Sequence, residues 1–187
     1  MDRRHEFLVA VPATLPMMRS LVMVAGGVAV LTLSVKLQAP FWPVPMTLQT
    51  LAVLCLGATY GMRHASATLL SYLLCGAAGF PVFATGTGLA YLAGPTGGYL
   101  LGFLLAATLV GWLSDRGYCG GVLPTISVLL LGEVVIYLPG VMWLGWMIGA
   151  ERAVAAGLLP FMPAEILKLA IASAVIPLAR AGFTARS

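Results

Sequence analysis

The sequence predicts an all-α polytopic membrane protein of six transmembrane helices, with both termini on the cytoplasmic side. Three observations lead there. Of 187 residues, 60% are hydrophobic and 9% charged, against about 25% charged in a soluble domain. A chain this apolar cannot cover its surface with polar atoms in water, and in lipid it has no need to. The apolar residues fall into runs punctuated by glycine, proline and basic residues, and the length fits about six spans of roughly 20 residues. Lysine and arginine are also divided unevenly between alternate connections.

Span one runs from Arg19 to Lys36 with no charge between them. Arg3, Arg4 and Arg19 precede this run and no A-x-A-like site follows it, so it is expected to be a retained span. Span two covers Thr47 to Tyr60 and stops at Gly61. Span three covers His64 to Phe80, and span four Gly98 to Leu113. Span five covers Val122 to Leu138, with an apolar extension to Ile148. Span six covers Ala164 to Leu178. No charged linker divides the chain, so residues 1–187 are read as one domain.

Orientation follows from the basic residues, which favour the cytoplasmic side. With the N-terminus inside, the inner segments hold Arg3, Arg4, Arg19, Arg63, Arg116, Arg180 and Arg186, and the outer ones only Lys36 and Arg152. The net charge of +4 is scattered and forms no stripe, which argues against nucleic acid.

Two connections are not ordinary loops, and both fall on the outer side. Gln38 to Met46 reads QAPFWPVPM; three prolines make it stiff and non-helical. Pro81 to Gly97 reads PVFATGTGLAYLAGPTG, uncharged, glycine-rich and apolar. Irregular backbone at membrane depth is tolerated where it is buried in protein or lines a cavity. Together the two segments are expected to form a lid over an outward-facing pocket.

Charges inside a membrane are costly, so they mark function or pair with one another. There are three: Glu133, Glu165 and Lys168. Glu165 and Lys168 are spaced i, i+3, share a helix face and can pair, at the outer end of span six beneath the lids. Side by side, an acceptor and a donor suit a small ligand that presents both kinds of group. Glu133 lies mid-span five, four residues before Tyr137. Two readings of it stand: a protonated carboxyl hydrogen-bonded within the bundle, and a ligand contact.

The glycines of GTG (Gly86 to Gly88) and GPTGG (Gly94 to Gly98) lack the Lys-Ser or Lys-Thr of a phosphate loop. Cys55, Cys75 and Cys119 have no CxxC spacing and read as small apolar residues. His5 and His64 are isolated, and no metal set or Ser/His/Asp constellation can be assembled. Ala25 and Ala29 form a small-xxx-small face on span one, against which a neighbouring span or another subunit can pack closely. Gly102 and Ala106 form a similar face on span four.

Several of these stretches resemble the BioY family, the biotin-binding S-components of energy-coupling-factor transporters. The resemblance is carried by PVPMTLQTLAVLCLGATYG (Pro43 to Gly61), GAAGFPVFATGTG (Gly76 to Gly88) and GPTGGYLLGF (Gly94 to Phe103). It continues in VVIYLPGVMWL (Val134 to Leu144) and LPFMPAEILKLAIA (Leu159 to Ala172), and so covers about residues 38 to 175. It implies a six-helix S-component bundle in a bacterial cytoplasmic (inner) membrane. It implies capture of biotin outside the cell, with no catalysis and no cofactor of its own. A coupling membrane subunit and two ATPase subunits supply the energy, and Ala25 and Ala29 match the family's docking surface for the coupling subunit. Homo-oligomerisation is left open. BioY proteins usually carry Asp-x-x-Lys at the start of the last helix. The matching positions here are Glu165 and Lys168, and the extra methylene carries the carboxylate further into the pocket. The family's third loop points to the region of Thr85. The expected ligand-binding set is Glu165, Lys168, Thr85, Gln49, Phe83, Tyr99, Tyr137 and Trp143, with Phe41 and Trp42 as further apolar wall.

Other readings compete. An S-component for thiamine or riboflavin is one; a thiamine site would carry more acidic and aromatic residues for a cation. An intramembrane enzyme using Glu133 or Glu165 as a base would need a second catalytic partner, and none is visible. A scaffold subunit would use the charged pair structurally.

Overall fold

The computed structural model of the chain describes residues 14–184, and side chains over residues 17–177. Arg3, Arg4, His5 and Arg186 lie outside the described residues, as does the side chain of Arg180. The chain order is α1 (Thr14–Lys36), β1 (Gln38–Ala39), β2 (Met46–Thr47), α2 (Gln49–Ala77), α3 (Gly88–Leu92), α4 (Gly97–Asp115), α5 (Val122–Ile148), α6 (Ala150–Gly157) and α7 (Met162–Thr184).

Polarity is inverted relative to a soluble domain. Large apolar side chains such as Leu21, Leu33, Leu123, Leu138, Met142, Ile166 and Leu167 are exposed, while Gln49, Thr50, Thr68, Glu133, Glu165 and Lys168 are buried. Soluble monomers do not expose apolar surface on this scale; a lipid environment covers it at no cost. Helices α1, α4 and α5 are long and apolar enough to cross a bilayer, and α6 with α7, bent by 51° at their junction, make a fourth candidate. The chain is a multi-pass membrane protein.

The second and third expected spans form one element, α2, broken at Gly61 (φ 73°, ψ 172°). Gln49 Nε2 donates to the Tyr72 hydroxyl at 2.7 Å. On a straight helix those residues would stand about 35 Å apart at about 1.5 Å per residue. α2 therefore doubles back at Gly61 into an antiparallel pair of arms, 49–60 and 62–77. The positive φ favours glycine, and an added Cβ would run into the Asp115 carboxylate. That carboxylate accepts the Met62 N–H (2.9 Å), anchoring the second arm to the end of α4 and placing negative charge at a helix start.

α4 packs on both α2 and α5 through its small residues. A Cβ at Gly102 would lie 2.6 Å from the Ile136 carbonyl oxygen, and one at Gly111 would lie 2.7 Å from the Met62 backbone nitrogen. The Gly102/Ala106 face is thus a contact with a neighbouring helix, one of the two readings the sequence leaves open. α5 runs as one helix through Pro139 to Ile148, absorbing the apolar extension beyond Leu138. Proline removes one backbone donor, a loss that packed neighbours make tolerable in membrane helices. Pro163 sits in the first turn of α7, where a missing N–H costs nothing. The short helices α3 and α6 were not expected from the sequence.

The two ends of the bundle differ. At one, Ser20 and His64 are hydrogen-bonded (3.2 Å) and Gly61 meets Asp115, which places Arg19, Arg63 and Arg116 together. At the other lie the β-ribbon, the Pro81–Gly97 segment and the start of α7.

Gly61→Val is expected to lower the thermal midpoint in detergent, at a cost of about 1–3 kcal/mol for forcing a side chain into this conformation. Tryptophan fluorescence during heating measures it, and an unchanged midpoint would show that the hairpin does not depend on this turn.

Candidate functional site

The site lies at the end carrying the ribbon. The prolines of QAPFWPVPM prevent helix, and the strands pair antiparallel, Gln38 with Thr47 and Ala39 with Met46. This turn sets the Thr47 carbonyl beside the first turn of α7. Glu165 in that turn and Lys168 in the next are 3% and 7% exposed. Lys168 Nζ donates to the Thr47 carbonyl (2.6 Å), to Thr50 Oγ1 (3.0 Å) and to Glu165 Oε1 (2.8 Å). Glu165 Oε1 also accepts from the Tyr137 hydroxyl (3.1 Å), and Oε2 accepts from Thr50 Oγ1 (2.8 Å). An ammonium has three donors, so Lys168 is fully engaged by protein. A carboxylate has about four accepting positions; one on Oε2 is left for another donor.

A cavity of about 30 Å³ adjoins this pair. That volume holds water and is far below the roughly 300 Å³ and more of small-molecule sites. Aromatic side chains occupy the remaining space. Phe83 is fully buried, stacks on Tyr91 (4.8 Å between centroids) and meets the edge of Tyr72 (5.4 Å). Gly76 makes room for it: a Cβ there would overlap the Phe83 ring. Three bonds hold the Pro81–Gly97 segment down. Tyr72 donates to the Val82 carbonyl (2.9 Å), Lys36 to that of Phe83 (2.9 Å) and Trp143 Nε1 to that of Gly94 (2.9 Å). On the opposite wall Tyr99 meets the edge of Tyr137 (5.8 Å) and donates to the Gly157 carbonyl (2.8 Å).

Of the expected ligand-binding set, the structure gathers Glu165, Lys168, Gln49, Phe83, Tyr99 and Tyr137 here. The other two it does not bring to the cavity wall. Trp143, 36% exposed, lies in a separate surface groove with Pro139, Met142 and Trp146; its indole serves as a clasp on Gly94. Thr85 is exposed, and its neighbour Ala84 lines the cavity instead. Phe41 is exposed and packs on Phe161 (6.1 Å), while Trp42 is 83% exposed, so neither is cavity wall. Glu133 is buried in the groove between α5 and α7, among Leu130, Val134, Met162 and Ile166, with Tyr137 and Glu165 on the same groove. Neither of its carboxylate oxygens has a hydrogen-bond partner among the described residues, so the expected bond within the bundle is not made. Ala25 and Ala29 are exposed on α1.

Sequence reasoning missed Thr50, Tyr72, Tyr91, Phe103 and Phe161 as cavity residues. Thr50, next to Gln49 in PVPMTLQT, carried a signal as a polar residue in an apolar run. Tyr72 carried none, since its partner lies on the other arm of a hairpin.

The BioY family model matches residues 5–185. The chain belongs to the BioY family. Its relatives include the protein named "Biotin transporter BioY2" from Lactococcus lactis, 37% identical over 80% of this chain and 83% of the relative. "Probable biotin transporter BioY" from Pyrococcus horikoshii is 36% identical over 80% and 89%. "Biotin transporter BioY" from Thermotoga maritima is 33% identical over 84% and 94%. The crystal structure of an S-component for biotin from an ECF-type ABC transporter superposes with a TM-score of 0.79 at 22% identity, over 89% of this chain and 93% of that one. The fold of this BioY chain is therefore that of an S-component.

Removing one member of the pair isolates the other charge in a low-dielectric interior. Glu165→Leu is expected to cost about 3–5 kcal/mol of stability, and Glu165→Leu/Lys168→Met markedly less. Melting curves of the two variants decide. Equal losses would mean that neither charge depends on the other.

Proposed function

We propose that this chain captures biotin at the outer end of the bundle and serves its uptake across the bacterial cytoplasmic membrane, as the S-component of an energy-coupling-factor transporter. The observation that carries the reading is the Glu165–Lys168 pair, buried under two lids and walled by aromatic rings, in a chain whose relatives are named biotin transporters. Biotin presents two ureido N–H donors and a carbonyl on an apolar, sulfur-containing bicycle, with a carboxylate tail. The spare position on Glu165 Oε2 accepts a ureido N–H. Lys168 balances the Glu165 charge and fixes the carboxylate against the ribbon. Gln49, whose amide nitrogen is engaged by Tyr72, has its amide oxygen to accept the second N–H. Phe83, Tyr99 and Tyr137 enclose the rings. Admitting a ligand of this size requires the Phe83 side chain to withdraw.

In this reading the chain crosses the membrane six times, counting both arms of α2. Arg19, Arg63 and Arg116 share the cytoplasmic end with both termini, and the lids face outward. Ala25 and Ala29, exposed on α1, offer the close-packing face to a coupling membrane subunit. Two ATPase subunits drive the cycle, and the chain itself catalyses nothing. Thiamine and riboflavin are not favoured, nor is an enzyme built on Glu133 or Glu165.

Calorimetry on the purified chain in detergent, with thiamine and riboflavin as controls, tests the reading. One-to-one nanomolar binding of biotin alone is expected, about −12 kcal/mol. Lys168→Ala is expected to weaken it by about 2–5 kcal/mol, because Glu165 loses its counter-charge. A folded chain that ignores biotin would refute the reading.

A further inference from the structure

Among the described residues, one cation besides the pair touches the cavity wall. Lys36 ends α1; its neighbour Val35 lines the cavity, and its ammonium donates to the carbonyl of Phe83, which also lines it. An ammonium has three donors and the structure shows one of them in use, on an exposed side chain at the rim. Lys168 offers no such capacity: its three donors go to Thr47, Thr50 and Glu165, and its charge is matched by Glu165. The other cations with described side chains lie elsewhere. Arg116 stacks on Trp112 and donates to its carbonyl. Arg19 and Arg63 lie at the Gly61 end, beside the Ser20–His64 bond. Arg152 lies in a surface groove with Trp42 and Ile148.

We propose that Lys36 receives the carboxylate of the ligand at the cavity rim while holding the lid by the Phe83 carbonyl. This rests on the reading of the ligand as biotin and adds the site for its charged end. A bicycle held at Glu165 leaves its flexible acid tail directed away from the pair, and a tail with one negative charge needs a cation with free donors. Lys36 provides it, and a single ammonium then joins α1, the lid segment and the ligand. A neutral tail would receive no such charge-assisted bond. Lys36 thus makes the site selective for the free acid over its esters and amides.

The test compares biotin with biotinamide, its uncharged amide, by calorimetry on the wild-type chain and on Lys36→Met and Lys36→Arg. The wild type is expected to bind biotin about tenfold more tightly than the amide, with the ratio shrinking as salt is raised. In Lys36→Met the ratio is expected to fall to about one, and in Lys36→Arg to return. Loss of the tether to Phe83 weakens both ligands alike and so leaves the ratio untouched. A preference kept in Lys36→Met, or absent from the wild type, overturns the proposal. A wild-type chain that binds neither ligand is a different result, since it refutes the biotin reading itself.

Discussion

The buried ion pair at the start of α7 is the constraint around which this end of the molecule is arranged. Desolvating a carboxylate and an ammonium costs several kcal/mol each unless both are paired and hydrogen-bonded. The sequence meets that demand from three directions. α2 brings Thr50, α5 brings Tyr137, and the proline-rich turn brings the Thr47 carbonyl. Each of these partners is held by something else. Tyr137 is braced by Tyr99, Tyr99 by the Gly157 carbonyl, and the ribbon by its pairing with β1. Moving α7 or the ribbon would strand a charge, so the position of the pair and the packing of the bundle are one problem.

The lid obeys a different logic. Its backbone carbonyls at Val82, Phe83 and Gly94 are taken by side chains from three helices, as irregular backbone at membrane depth requires. Its one fully buried large side chain, Phe83, fits because position 76 has no Cβ. The contacts under Phe83 are ring on ring and carry no charge. Such contacts are lost gradually as a ring withdraws, whereas the pair cannot be half broken without a large penalty. This end of the bundle thus divides into a floor of interlocked charges and a cover of aromatic rings.

Much of this was legible in the sequence because lipid imposes a simple code. Apolar runs broken by glycine and proline located every long helix, including the turn at Gly61. The i, i+3 spacing of Glu165 and Lys168 identified the pair, and the composition of the two odd connections marked the segments that pack at its end of the bundle. What was hidden depends on register between segments distant in sequence. Tyr72 meets Gln49 because a hairpin of two arms closes with that alignment, and no local pattern encodes it. Trp143 was expected at the pocket as an aromatic side chain, and Thr85 because the family resemblance points to its loop. Whether a residue faces inward depends on helix rotation in one case and on the path of an irregular loop in the other. α6 is eight residues long, too short for periodicity to announce it.

Glu133 and Glu165 show the same limit most plainly. In sequence they are two lone acids in apolar helices, equally costly and equally suggestive of function. In the fold one has Thr50, Tyr137 and Lys168 around it and an accepting position turned to a cavity. The other lines a largely apolar groove that it shares with Tyr137 and Glu165, and neither of its oxygens has a hydrogen-bond partner among the described residues. Burial is common to both, so burial cannot be what makes a site. The difference is the number of groups that converge from separate elements. A converging set holds a carboxylate in one orientation, and a fixed orientation is what lets it tell one ligand's donors from another's. Glu133, with no hydrogen-bonded partner among the described residues, has no such fixed reference, whatever its position along the helix.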